Sequence, residues 1–146
     1  MKIQISTPRG SIHHTTTPNG KLKTTLSWNT GFGPRYTKGF GIVQKFIDSE
    51  VLRLSKPMVP LQSSMLIKSG TLGTDVGSGK VEYNAPYARY QYYGKLMDGR
   101  APKRLTDTNL TYHGANRGAK WFERMKSLHK QSILEGAGMM MRRTTK

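Results

Sequence analysis

Any acid–base, nucleophilic or metal chemistry in this 146-residue chain has to be built from eight carboxylates and four histidines. The carboxylates are Asp48, Glu50, Asp75, Glu82, Asp98, Asp107, Glu123 and Glu135. General acid–base work needs two of them to converge on one bond. None stands in a recognised motif, and Asp48 and Glu50, two apart in a helical segment, point to different sides of it. His13 and His14 are adjacent in a threonine-rich arm rather than four apart on a helix, so they read as solvated loop residues and not as metal ligands. His129 falls near Phe122 and Ile133 on a predicted helix and reads as a partly buried packing residue. There is no cysteine, which removes thiol nucleophiles, disulfides and cysteine-based zinc sites. The glycines at 70, 73, 77 and 79 lack the Gly-Lys-Ser/Thr ending of a phosphate-binding loop, since Lys80 is followed by Val81. They also lack dinucleotide spacing, and a strand rather than a helix is expected behind them. This inventory predicts a protein that is not an enzyme, with no metal and no cofactor.

Binding chemistry is better supplied. Lys and Arg number 24 against 8 acids, a formal charge of +16, which calls for a polyanion or an acidic protein surface. The cations are spread along the chain. The tightest groups are Lys103-Arg104 and Arg142-Arg143, so no basic block marks a dedicated nucleic-acid reader. Tyr83, Tyr87, Tyr90, Tyr92 and Tyr93 place five rings within eleven residues. Such rings, interleaved with Arg89 and Lys95, could stack unpaired bases. The competing reading puts some in the core and others against a protein partner.

The elements that would position these groups follow from periodicity. Residues 1–35 contain no acid and form either a strand pair or an arm that orders on a partner. Within them, Leu22, Thr24, Leu26 and Trp28 alternate with Lys23, Thr25 and Ser27, the pattern of a half-buried strand, with Ile3 and Ile5 as its candidate partner. From Tyr36 to Lys56 the period lengthens, and Phe40, Val43, Phe46, Ile47, Val51 and Leu54 make one helical face that Pro57 closes. Ser64–Ser69 and Lys80–Ala85 are predicted as two strands of a hairpin with a mobile tip at Gly73, Asp75, Gly77 and Gly79. Tyr87–Tyr93 is predicted as a short helix stopped by Gly94. A basic loop at 95–104 carries Lys95, Arg100, Lys103 and Arg104, and a strand is expected around 105–112. The last helix is predicted from Arg117 to Glu135, with Trp121, Phe122, Met125, Leu128 and Ile133 on its apolar side, stopped by Gly136 and Gly138 ahead of a basic tail at 136–146. The expected fold is α+β: a small antiparallel sheet with a long helix and a C-terminal helix packed against it, residues 36–135 forming one domain. No run approaches the ~20 apolar residues of a membrane span. The start, Met1-Lys2-Ile3-Gln4-Ile5, lacks the apolar stretch of a signal peptide, so an unexported product with no membrane partner is expected.

The order Lys56-Pro57-Met58-Val59-Pro60, Ser69-Gly70-Thr71-Leu72, Asn84-Ala85-Pro86-Tyr87-Ala88-Arg89-Tyr90-Gln91-Tyr92-Tyr93-Gly94 and Gly118-Ala119-Lys120-Trp121-Phe122-Glu123-Arg124-Met125-Lys126 resembles the minor capsid or head–tail joining proteins of tailed bacteriophages. The likeness covers about residues 36–135 and leaves the arm and the tail outside it. It implies a structural virion protein of the neck, made in the host cytoplasm. Copies would assemble as a ring of six or twelve between capsid and tail, around the DNA passage. Its implied partners are neighbouring neck, portal-adaptor, tail-terminator or tail-tube proteins, with non-specific contact to genome DNA. Under that reading Tyr87 and Ala88 pack inward, and Tyr87 is also a candidate subunit or partner contact. Arg89, Tyr90, Tyr92, Tyr93, Lys95, Arg100, Lys103, Arg104 and Trp121 supply subunit or partner contacts. The alternative is a basic protein that binds RNA or DNA directly.

Overall fold

Two 24-residue helices dominate the computed structural model, which describes residues 4–146. Helix α1 (Phe32–Ser55) begins four residues before the predicted Tyr36. Pro34 lies in its first turn, where a missing donor costs nothing, and the Gly31 N–H ahead of it donates to Asn29 Oδ1 at 2.8 Å. The chain order continues with α2 (Met65–Gly73), α3 (Ala88–Tyr93) and α4 (Trp121–Thr144). Four strands precede or punctuate them: β1 (Ser11–Thr17), β2 (Gly20–Leu26), β3 (Lys95–Asp98) and β4 (Arg104–Asn109). They form two separate antiparallel ribbons, β1–β2 and β3–β4. The α+β class expected from the sequence holds.

The predicted stop of the last helix at Gly136 and Gly138 is corrected: α4 runs through both, and Met139–Thr144 is helical. The cause is tertiary. A Cβ on Gly136 would lie 2.7 Å from Phe46 Cζ, and one on Gly39 would lie 3.1 Å from both Met141 Sδ and Thr145 Cγ2. These glycines admit side chains from the facing helix, and the contacts run in opposite order, so α1 and α4 are antiparallel. Close packing along this seam outweighs the roughly 1 kcal/mol helix penalty of each glycine. The helix also starts at Trp121 rather than Arg117, because Lys120 sits in the left-handed region at φ 53°. Leu128, expected on the apolar side, is 70% exposed.

Ser64–Ser69 and Lys80–Ala85 do not form the predicted hairpin. The first segment lies mostly within helix α2, whose buried Leu66 and Gly70 are four apart on one side. The second is an extended strap without strand pairing. It crosses α2 with Tyr83 over Gly70, where a Cβ would meet Tyr83 Cε1 at 2.5 Å. Thr74 Oγ1 holds the strap by accepting the Glu82 N–H at 3.0 Å. A short apolar run reads equally as strand or helix, and here the close approach at Gly70 decides for helix.

The core lies where α1, α2, α3 and the start of α4 meet: Met58, Val59, Leu66, Ala88, Trp121, Met125 and Ile133. Arg124 fastens the loop before α4, donating to the carbonyls of Ala119 (3.0 Å), Asn116 (2.8 Å), Gly118 (3.2 Å) and Met58 (3.2 Å). Arg117 donates to Val59 O at 2.6 Å from the same loop. Two of the cations counted toward an external partner are thus spent on internal carbonyls.

The first ribbon joins Ser11–Thr17 to Gly20–Leu26 across Pro18-Asn19. The partner strand is the threonine-rich segment itself. Ile5 is in no strand; its N–H donates to Thr37 Oγ1 of α1 at 3.0 Å. Ile3 lies outside the described residues. The half-buried strand is also corrected: every residue of β2 is exposed, with Leu22 at 58% and Leu26 at 53%. Cross-strand pairing puts Leu22, Thr24 and Leu26 on one face with Thr15, His13 and Ser11. The period-two pattern is real, but nothing among the described residues covers it. The second ribbon revises the predicted basic loop at 95–104, whose first four residues are β3. No helix among the described residues is long and apolar enough to cross a membrane.

Candidate functional site

A groove of about 630 Å³ opens between α1, the strap, α3 and the N-terminal turn of α4. Helix α1 contributes Gln44, Ile47, Asp48 and Val51; the strap contributes Val81 and Tyr83; α3 contributes Arg89, Tyr92 and Tyr93; α4 contributes Trp121 and Phe122. Each element reaches the groove for a local reason. Pro86 breaks the strap, and Ala88, the buried residue of α3, seats that helix on the core. Gly94, at φ 70°, ends α3 with its N–H on Tyr90 O at 2.9 Å.

An aromatic lattice builds the wall. Tyr83 and Tyr92 meet Trp121 edge-on, with ring centroids at 5.4 and 4.7 Å, and Tyr93 meets Tyr92 edge-on at 5.5 Å. The Lys120 ammonium lies 4.3 Å from the Tyr93 centroid and 5.0 Å from that of Tyr92. Tyr92 Oη donates to the Glu123 carboxylate. Burial, and then Glu123, pushes the Tyr92 phenol well above its ordinary value. The hydrogen bond from Tyr92 holds Glu123 below the usual carboxylate range. Burial also raises Tyr83.

At the groove's edge sits a carboxylate that the sequence reading passed over. Asp48 is 3% exposed. Its Oδ1 accepts from Gln44 Nε2 at 2.8 Å, and its Oδ2 accepts the N–H groups of Gly77 at 2.7 Å and Gly79 at 3.1 Å. Gly77 and Gly79 have φ of 105° and 78°, the left-handed backbone that glycine adopts freely. The predicted mobile hairpin tip is therefore corrected to a loop clasped on α1. Gly73 closes α2, Asp75 O accepts the Ser78 N–H at 3.0 Å, and Gly77 and Gly79 are held by Asp48. The signal was present: Asp48 interrupts the stripe made by Val43, Ile47 and Val51.

Of the predicted contact residues, Arg89, Tyr92, Tyr93 and Trp121 converge on this groove. Trp121 is 2% exposed and forms the groove floor, so its role as a subunit contact is corrected to a core role. Tyr87, expected to pack inward, is 38% exposed and lines a separate polar recess with Gln91 and His113. The reason is the helix phase, which turns Ala88 inward instead. Tyr90 receives the Lys103 ammonium at 5.8 Å from its centroid. Lys95 bridges its own ribbon, donating to Asn109 Oδ1 at 2.7 Å. Arg100 and Arg104 are exposed on that ribbon. The sequence reading missed Gln44, Asp48 and Phe122 as members of the site.

The groove can receive apolar or aromatic side chains against a tyrosine wall with Arg89 at its rim. Asp48 has its oxygens occupied by three donors, and no histidine lines the groove. Among the described residues no three His, Asp or Glu lie close enough to share a metal ion. No known protein family, curated protein or solved structure matches the chain.

Proposed function

We propose that this chain is a non-catalytic structural subunit of the tailed-bacteriophage neck, assembling as a homo-oligomeric ring in the virion between capsid and tail. The observation that carries the reading is the distribution of apolar surface. Among the described residues, more large apolar side chains are exposed than buried, and two of them, Leu22 and Leu26, share one face of the first ribbon. Leu22, Leu26 and Trp28 belong to the first ribbon and the segment leaving it, at 58%, 53% and 46% exposure. An isolated two-stranded ribbon is marginally stable at best in water. The groove presents a complementary recess walled by Tyr92, Tyr93 and Phe122. A head-to-tail contact, in which the ribbon of one copy covers the groove of the next, buries both and closes into a ring when the rotation permits. The resemblance over residues 36–135 supplies the neck as the setting, with neighbouring neck and tail proteins as the further partners.

Native mass spectrometry and particle fractionation test this reading. The purified chain is expected to form closed rings as its concentration rises. Replacing Leu22, Leu26 and Trp28 with Ser is expected to leave a folded monomer that no longer assembles. In the producing host, the protein is expected to stay with virions after nuclease treatment at moderate salt. A chain that is monomeric at every concentration and absent from finished particles overturns the proposal.

A further inference from the structure

The positive charge is not spread evenly once the chain is folded. Residues 1–47 and 136–146 together hold ten Lys and Arg and no carboxylate, whereas residues 48–135 hold fourteen with all eight carboxylates. The antiparallel pairing of α1 and α4 brings these two acid-free segments to the same end of the molecule. Arg35 Nη1 donates to Thr145 O at 3.4 Å, and Gly39 packs on Met141 and Thr145. Exposed Arg35 and Lys38 from α1 therefore share one end with exposed Arg142, Arg143 and Lys146. The first ribbon, with exposed Lys21 and Lys23, is rooted at this end through Gly31 and the Ile5–Thr37 contact.

Among the described residues, no carboxylate of α1 or α4 lies beside the cluster. Glu135 is seven residues from Arg142, roughly 10 Å along α4, and Asp48 is roughly 15 Å from Lys38 along α1. Both separations exceed the ~8 Å screening length at physiological salt. Among the described residues, the ion pairs are Arg53 with Glu50 and Lys80 with Glu82, both in the acid-bearing half.

We infer that this end of the molecule, the paired ends of α1 and α4 with the first ribbon, is a contact surface for the phosphate backbone of double-stranded DNA, independent of base sequence. Three features favour duplex DNA over an acidic protein. The cations are long, exposed side chains, Lys21 with Lys23 on β2, Arg35 with Lys38 on α1 and Arg142 with Arg143 at the end of α4, suited to a ligand with a charge every ~1.7 Å. The ribbon face opposite Leu22 and Leu26 carries Lys21, Lys23, Thr16 and Thr25, with hydroxyl donors of the kind that contact phosphates, and no carboxylate. A two-stranded ribbon also fits the major groove of B-form DNA, whereas that of A-form RNA is too narrow. The inference stands on the charge distribution and does not depend on the ring.

Fluorescence anisotropy with a random-sequence duplex of about 24 base pairs, titrated from about 50 to 200 mM salt, reads the surface directly. Seven contacting cations give a slope of log affinity against log salt near −6. R142Q/R143Q is expected to make the slope shallower by about 1.8, and K21Q/K23Q by a similar amount, at about 0.9 per cation. K126Q/K130Q, in the acid-bearing half of α4, is expected to leave the slope unchanged. Thermal melting of each variant, expected to match the parent, separates lost contacts from lost folding. The inference is overturned by no binding at the lowest salt, by a slope indifferent to the first two variants, or by duplex RNA binding as tightly as DNA. Charge-matched polyglutamate displacing the DNA as effectively as unlabelled duplex would also overturn it, marking an acidic protein as the partner.

Discussion

Replacing Asp48 with Ala should release the 74–81 loop and destabilise the fold by about 2–4 kcal/mol, whereas replacing it with Asn should cost about 1 kcal/mol. The difference comes from counting donors. The carboxylate accepts three hydrogen bonds, from Gln44 and from the N–H groups of Gly77 and Gly79. Hydrogen bonds to a charged acceptor contribute about 1.5–3 kcal/mol each, but both glycines are partly or fully open to solvent, so water can replace Asp48 at some of them. That places the Ala variant below the full sum. Asn keeps one oxygen where the two glycine N–H groups converge, and Gln44 can turn its amide to meet the new NH₂. Only the charge assistance is then lost. For a chain of this size, each kcal/mol lowers the melting temperature by about 2–4 °C, so D48A should melt about 4–16 °C lower. Amide hydrogen exchange locates the damage: Gly77 and Gly79 should lose protection in D48A and keep it in D48N. A D48A protein that melts with the parent and still protects both amides would refute the reasoning, since the clasp would then hold nothing.

Further expected outcomes follow from the core and the helix seam. Trp121→Ala removes the floor on which Tyr83 and Tyr92 rest and should cost about 3–5 kcal/mol, read by denaturant melts. Gly136→Val places a branched side chain where even a Cβ would stand 2.7 Å from Phe46. The overpacking cost of about 1–3 kcal/mol adds to a poor fit for the seam, and the melting temperature should fall even though valine is the better helix former. Tyr92 and Glu123 should respond to pH in opposite directions. The raised phenol stabilises the pair below its ordinary 10.0 and loses that contribution as pH rises through its higher folded value. The lowered carboxylate stabilises it above its ordinary 4.5 and loses that contribution as pH falls through its folded value. Alkaline absorbance titration should show Tyr92 ionising late, and Tyr92→Phe should take one phenol out of the late-titrating group that also holds Tyr83 and Tyr112; an unchanged titration would contradict the pairing.

The sequence carried the elements whose signals are local. Pro57 and the 43–47–51–54 stripe marked α1, Gly94 marked the end of α3, and the 104–109 strand overlaps the expected 105–112. The failures share one cause, side chains arriving from far along the chain. Gly136 looks like a stop signal until Phe46 of the facing helix is present. Residues 64–69 look like a strand until Tyr83 needs the open surface of Gly70. Asp48 looks like one solvated acid among eight until two glycine amides 29 and 31 positions away close on it. In the groove, Tyr92 and Tyr93 were visible as a cluster, but Trp121 appeared as a contact because its burial depends on Tyr83 and Met58. Leu22 and Leu26 failed in the opposite sense: their alternation is genuine, and both are exposed among the described residues.

The seam between α1 and α4 also sets a timetable for synthesis. The bond from Arg35 to Thr145 spans 110 positions, so at roughly 5–20 residues per second the first helix waits about 5–20 s on the ribosome for its mate. Throughout that interval Val43 and Phe46 lack the cover of α4, and any nascent chain stalled short of residue 136 would present them to chaperones and proteases. Truncated products should therefore be cleared rather than accumulate, leaving the cell with finished copies and few fragments able to poison an assembly.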